Sequence, residues 1–229
     1  KTITSQEAAL DTRQSSTIFI PELAKDILEQ IVFEARKSEF VDVKSGVSAR
    51  LSITAFENLV STAERRLLHS GDDKTGIRMS DFTGIIPAIT GKIELVYEGE
   101  QEGAYNVALT LLGNAIKSLY SEFFPKIEKI EKQGVESPYD EIVSWFFNHS
   151  EDFEILDDIS EKDYRSILEK VKPLSEFVLK YQVGVTPEEV CFWQEFVLWS
   201  LVEHKKLSKY RYAEGVQFKD PYGSFISGL

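Results

Sequence analysis

Apolar positions recur every three or four residues along most of this 229-residue chain, with polar positions on the intervening faces, a pattern that predicts helices almost throughout. After a polar start, Ile18-Phe19-Ile20 reads as a short extended piece ended by Pro21, and Pro21 suits the first position of a helix. In that helix Leu23, Ile27, Leu28, Ile31, Val32 and Ala35 form one face, while Lys25, Glu29, Arg36 and Lys37 occupy others. A second amphipathic helix follows the turn at residues 42–46, with Ile53, Phe56, Val60, Ala63 and Leu67 along one stripe. Thr54 with Glu57 three residues later is a capping-box pattern, which leaves the start of this helix open between Ser48 and a turn later. Gly71-Asp72-Asp73 marks a turn within a loop over residues 69–76. Residues 80–89 read as another helix, Phe82, Ile85 and Ile86 facing inward and Pro87 bending or ending it.

Residues 93–97 have strand composition, but a lone strand needs partners, so the expectation is a helical or irregular piece followed by a break over residues 98–103. Residues 104–131 carry the longest helical pattern, apolar at Val107, Leu111, Ala115, Leu119 and Phe123, with Pro125 placed to split it. A turn at residues 134–138 is the candidate domain boundary. Beyond it, Val143, Trp145, Phe146 and Phe147 mark one helix, and Ile167, Leu168, Val171, Leu174, Phe177 and Val178 mark helical pattern over residues 164–181. Thr186-Pro187-Glu188-Glu189 combines a cap residue, proline at the first position and acids in the first turn, and the helix it opens is expected to run to about residue 207. Residues 210–229 read as a Tyr-, Phe- and Gly-rich tail packed back onto the domain. The fold class expected is all-α, in two helical parts, with no repeat of fixed period.

Composition adds exclusions. A net charge of -12 argues against a broad nucleic-acid surface and against adsorption to an anionic membrane. Residues 136–163 hold ten acids and one lysine, a solvated connector or a docking face. Cys191 is the single cysteine, which removes any internal disulfide or cysteine-rich zinc site and fits a reducing cytoplasm. No apolar run approaches the roughly 20 residues that span a bilayer, and no signal-peptide pattern opens the chain. The start at Lys1, without methionine, points to a longer protein trimmed upstream.

No Gly-rich phosphate loop, nucleophile elbow, HExxH or dinucleotide fingerprint occurs, so catalysis by this chain alone is not expected. His69, His149 and His204 have no second His or Cys at ligand spacing and read as exposed helix-end residues; Cys191 reads as a core thiol. Glu98, Glu100 and Glu102 offer oxygen ligands for a hard cation such as magnesium, against the commoner reading of a solvated acidic turn, and no metal site is assigned. Trp193, Phe196 and Trp199 share a helix face and read as core. Arg50 is different. A cation at the positive end of a helix is disfavoured, while free backbone N–H groups there attract anions, so Arg50 suggests an external anion such as a phosphate. The local pattern alone favours the alternative, a salt bridge to Asp42 or another acid.

Taken together, VKSGVSARLSITAFENLVSTAERR and RMSDFTGIIPAITGKIELVYEGEQEG resemble the C-terminal lid region of AAA+ ATPases related to the magnesium chelatase ATPase subunit and the MoxR group, over roughly residues 21–103. That family places an arginine in a G-x-S-x-R turn, sensor 2, against the γ-phosphate of ATP; the matching residues here are Gly46, Ser48 and Arg50. The resemblance implies a helical AAA+ lid-type bundle followed by a second helical domain: a linker over residues 1–17 from an ATPase core outside this chain, a lid-like domain over 18–134, and an acidic, aromatic-rich helical extension over 135–229. It also implies ATP and Mg2+ as cofactors of the parent protein with none in this piece, a homo-oligomeric ring, and a partner carrying a von Willebrand A domain. The competing expectation is a non-catalytic helical module for protein interaction or regulation, with Arg50 in a local ion pair.

Overall fold

A computed structural model describes residues 10–42, 44, 47–48, 50–127, 137–149, 153–212 and 214–221. The chain is mostly helical and divides into two compact units, residues 1–68 with 73–119, and residues 69–72 with 120–229.

In the first unit, α1 (Thr12–Thr17) begins at Asp11 with a reciprocal cap: Gln14 N–H donates to Asp11 Oδ1 (2.7 Å), and Asp11 N–H to Gln14 Oε1 (3.3 Å). Strand β1 (Ile18–Phe19) pairs in parallel with β2 (Thr75–Gly76). Helix α2 (Glu22–Lys37) starts one residue after Pro21, whose extended ψ of 144° makes it the cap rather than the first helical residue. Its buried face is the expected one, with Ala24 added. Helix α3 (Arg50–Ser70) buries Leu51, Ser52, Ala55, Phe56, Leu59, Val60, Ala63, Arg66 and Leu67. Phe56, Val60, Ala63 and Leu67 of the expected stripe are thus buried within a wider face, Ile53 is only half-buried, and Thr54 and Glu57 lie inside the helix rather than capping it.

Residues 79–90 are not one helix. A 3-10 turn over Met79–Ile85 hands over to the short α4 (Ile86–Thr90), so Pro87 opens the α-helical segment instead of ending it, at a position where its missing N–H costs nothing. Phe82, Ile85 and Ile86 are buried as expected. Residues 93–96 form no strand, but Asp42 N–H donates to the Glu94 carbonyl (2.8 Å) and Val96 N–H to that of Phe40 (3.1 Å), which ties them to the end of α2. The expected break at 98–103 is instead helix α5 (Tyr97–Glu102), stopped by Gly103 at φ 90°. Helix α6 (Ala104–Phe123) ends before Pro125, which cannot supply the next helical N–H. The Glu34 carboxylate on α2 accepts from Ser118 on α6 (3.0 Å) and from Gln30 (2.7 Å).

In the second unit α7 (Asp140–His149) is followed by β3 (Glu154–Leu156), α8 (Glu161–Glu169), α9 (Lys172–Tyr181) and α10 (Pro187–Glu203). The pattern over 164–181 belongs to two helices, because Pro173 in the first turn of α9 cannot continue α8. Helix α10 opens with the expected Thr186/Glu189 capping box (Glu189 N–H to Thr186 Oγ1, 3.3 Å; Thr186 N–H to Glu189 Oε2, 2.9 Å). It closes at Glu203, four residues short of expectation, and Lys205 then turns left-handed at φ 59°. All residues from Cys191 to Leu201 are buried, the polar Gln194, Glu195 and Ser200 among them, as for a helix that runs through the middle of a core.

The expected tail is a correction to the all-α reading. Strands β4 (Ser208–Arg211) and β5 (Gly215–Lys219) form a hairpin, and β3 joins the other edge of β5, giving an antiparallel sheet in the order β3-β5-β4. Val216 and Phe218 point into the core, and Phe218 and Phe153 meet edge-on at 6.0 Å. Residues 1–9, 134–136 and 222–229, covering parts of the expected linker, boundary turn and tail, lie outside the described residues.

Candidate functional site

The turn into α3 is built from what its backbone must satisfy. The first four N–H groups of a helix have no carbonyl one turn behind them. Ser48 answers two of them, its hydroxyl accepting from Arg50 N–H (3.2 Å) and its carbonyl from Leu51 N–H (3.0 Å). No acid occupies the first turn, so the positive end of this 21-residue helix is not neutralised locally. Arg50 is the first helical residue and is exposed. Among the described residues its guanidinium has no hydrogen-bond or ion-pair partner, and the salt bridge to Asp42 is not formed; Asp42 Oδ1 accepts instead from Lys44 N–H (2.8 Å). Arg36 comes up from α2, its Nη2 donating to the Val47 carbonyl (3.4 Å). Ser48 and Arg50 thus sit together with Arg36 on one exposed, cationic turn, a geometry suited to an anion. Gly46 lies outside the described residues.

Sixteen residues further along α3, Arg66 is buried at 4% exposure, and the sequence reading missed it. Its Nε and Nη2 donate to Asp81 Oδ1 (3.3 Å) and Oδ2 (2.8 Å), Nη2 also donates to the Gly76 carbonyl (2.7 Å), and Nη1 to Thr75 Oγ1. Asp81 in turn accepts from Arg78 N–H (2.8 Å). This fork locks the 3-10 turn and β2 onto α3, which fixes the helix that carries Arg50. One signal was present: Arg66 falls three residues after Ala63 and beside Leu67, on the apolar stripe, where an arginine requires a carboxylate.

The remaining candidates do not converge. Glu98, Glu100 and Glu102 are exposed on α5, and among the described residues no group of three or more His, Cys, Asp or Glu could hold a metal ion. His69 and His149 are exposed; His149 stacks on Trp145 (4.7 Å between centroids) and its Nδ1 meets the Trp145 carbonyl (3.0 Å). His204 is half-buried, its Nδ1 at 2.8 Å from the Ser200 carbonyl. Cys191, Trp193, Phe196 and Trp199 are core. No described helix is long and apolar enough to cross a membrane. No family model, curated protein or solved structure matches the chain.

Proposed function

We propose that this chain is the C-terminal lid and helical extension of an AAA+ ATPase of the magnesium chelatase ATPase subunit or MoxR-like group, with Arg50 as its sensor-2 residue. The observation that supports this reading is the Arg50 guanidinium, exposed and unpartnered among the described residues at the positive end of α3, within the motif that carries the resemblance. Its planar fork is suited to donating two charge-assisted hydrogen bonds to γ-phosphate oxygens, while Ser48 shapes the turn and the Arg66–Asp81 fork holds the helix. On this reading the phosphate loop and the Mg2+-binding acids belong to an ATPase core outside this chain, as the resemblance implies. Closing this lid on that core orders Arg50 against the phosphate; release after hydrolysis lets the lid move and passes that motion to a partner, for which a von Willebrand A domain protein is the candidate.

The test is Arg50→Ala in the full-length protein. Turnover is expected to fall by about tenfold or more, since a single preorganised donor to a developing charge is commonly worth that much, with Arg50→Lys intermediate because it keeps the charge and loses the fork. Unchanged turnover would overturn the assignment, as would a parent gene without a GxxxxGK[ST] phosphate loop. A second reading, a helical protein-interaction or regulatory module, is favoured by Tyr97 and Tyr105, 69% and 58% exposed in the first unit. It predicts partner binding that is lost on replacing those tyrosines and indifferent to nucleotide.

A further inference from the structure

The acid-rich stretch over residues 136–163 begins at a groove of about 420 Å³ within the second unit, between the start of α7 and the body of α9. Pro138, Pro173 and Phe177 give the groove apolar walls, and Asp140 and Glu141 from α7 with Glu176 from α9 bring three carboxylates to it. The three acids are exposed, the prolines half-buried and Phe177 buried, so apolar surface lies beneath the carboxylates. That volume is at the lower end of the range for ligand pockets and takes one long side chain with the backbone beside it.

Helix formation accounts for part of this charge. Asp140 and Glu141 stand in the first turn of α7, where acids offset the positive end of the dipole. Asp140 also closes the turn before the helix: its Oδ2 accepts from Ser137 N–H (3.0 Å), and its own N–H donates to the Ser137 carbonyl (3.0 Å). Glu176 has no such duty, since it lies beyond the first turn of α9. It precedes Lys180 by four residues, the spacing and order in which a glutamate and a lysine ordinarily pair on a helix. They do not pair here: no salt bridge joins them, and the Lys180 ammonium lies instead toward the Tyr181 ring, 5.5 Å from its centroid. Neither Glu141 nor Glu176 has a hydrogen-bond or ion-pair partner among the described residues. Like charges from two helices repel across a shared groove, and a cation seated between them turns that repulsion into attraction.

We propose that this groove is a docking site for an arginine-bearing peptide segment of a partner protein. The aliphatic stem of the arginine lies along Pro138, Pro173 and Phe177, and its guanidinium reaches the free carboxylates of Glu141 and Glu176 at the mouth. Arginine is specified over lysine for two reasons. Its planar fork carries five N–H donors and serves carboxylates arriving from two helices, and its weaker hydration lets it leave water for an apolar wall more readily than a compact ammonium does. The same charge turns away anionic partners, nucleic acid among them.

The experiment titrates the full chain into a short dye-labelled peptide of arginines spaced by glycines and reads fluorescence anisotropy. Matched peptides carry lysine, or citrulline, which keeps the shape of arginine without its charge. The arginine peptide is expected to bind most tightly, the lysine peptide several-fold more weakly, and the citrulline peptide not at all. Glu176→Gln, its fold checked by thermal unfolding, is expected to weaken binding of the arginine peptide about tenfold, as for the loss of one charge-assisted partner. Glu154→Gln removes an exposed acid of the same stretch that does not line the groove, and should leave binding unchanged. Equal losses from the two variants, or equal affinity for the arginine and lysine peptides, would overturn the proposal, because diffuse attraction to an acidic surface would then account for the binding. Failure of the arginine peptide to bind would overturn it as well. Self-association of the chain, seen by analytical ultracentrifugation and abolished by Glu176→Gln, would assign the groove to a second copy and overturn the peptide reading.

Discussion

Replacing Arg66 by methionine keeps much of the side-chain volume and removes the guanidinium that holds Asp81. Both groups are out of water, with side-chain exposures of 5% and 4%, so the carboxylate cannot recover its lost partner from solvent. The donor contacts that disappear together include two to Asp81, one to Thr75 and one to the Gly76 carbonyl. Breaking a buried pair by deleting one member typically costs about 3–5 kcal/mol, because the remaining charge stays desolvated. Against a total stability of roughly 5–15 kcal/mol for a domain, that loss is a large fraction and leaves some variants unfolded at room temperature. Urea unfolding followed by far-ultraviolet circular dichroism measures it. The companion variant Arg66→Met/Asp81→Leu removes both charges, and replacing a whole buried pair by apolar groups is often near neutral. It is therefore expected to regain most of the loss. A cost below about 1 kcal/mol for Arg66→Met would refute the argument that the pair is dry. So would a double variant no more stable than the single one, since desolvation of an orphaned charge would then not be the source of the loss.

Two further predictions concern other places in the fold. Gly99→Ala puts a Cβ into the Phe40 carbonyl, a backbone atom that cannot swing away, and is expected to destabilise the first unit by about 1–3 kcal/mol in the same denaturant assay; a neutral result would mean that α5 moves off the end of α2 at no cost. Burial, the largest influence, pushes Tyr139 up from 10.0 to about 12, so between those values the unfolded chain sheds a proton that the folded one keeps. Stability is then full below pH 10 and declines through that window; Tyr139→Phe loses the hydroxyl donated to the Pro125 carbonyl but should show a shallower alkaline decline, read from denaturant midpoints across pH.

How much was legible in the sequence follows from which forces act locally. The buried face of α2 and the capping box of α10 were readable because periodicity and cap chemistry are properties of neighbouring residues. On α3 Phe56, Val60, Ala63 and Leu67 are buried as expected, but the buried face is wider than that stripe, because Ser52 and Arg66 are buried polar residues, invisible to a pattern built on apolar positions. Pro87 and Pro173 were read as interruptions or passed over, yet both open helices, since a proline in the first turn and one in mid-helix look alike until the start is known. The hairpin was missed although Val216-Gln217-Phe218-Lys219 alternates with period two; its aromatic content drew attention instead of its alternation. For the candidate site, the sequence placed Arg50 at a helix start, but its exposure and its lack of a partner among the described residues depend on where Asp42 spends its oxygens.

The aromatic core of the second unit has one more consequence. All three tryptophans, Trp145, Trp193 and Trp199, belong to that unit, and the first unit, which holds Arg50, has none. Intrinsic emission is thus a reporter built into one half of the chain. A nucleotide titration that shifts tryptophan fluorescence would therefore report a change in the surroundings of the second unit's tryptophans, without any label.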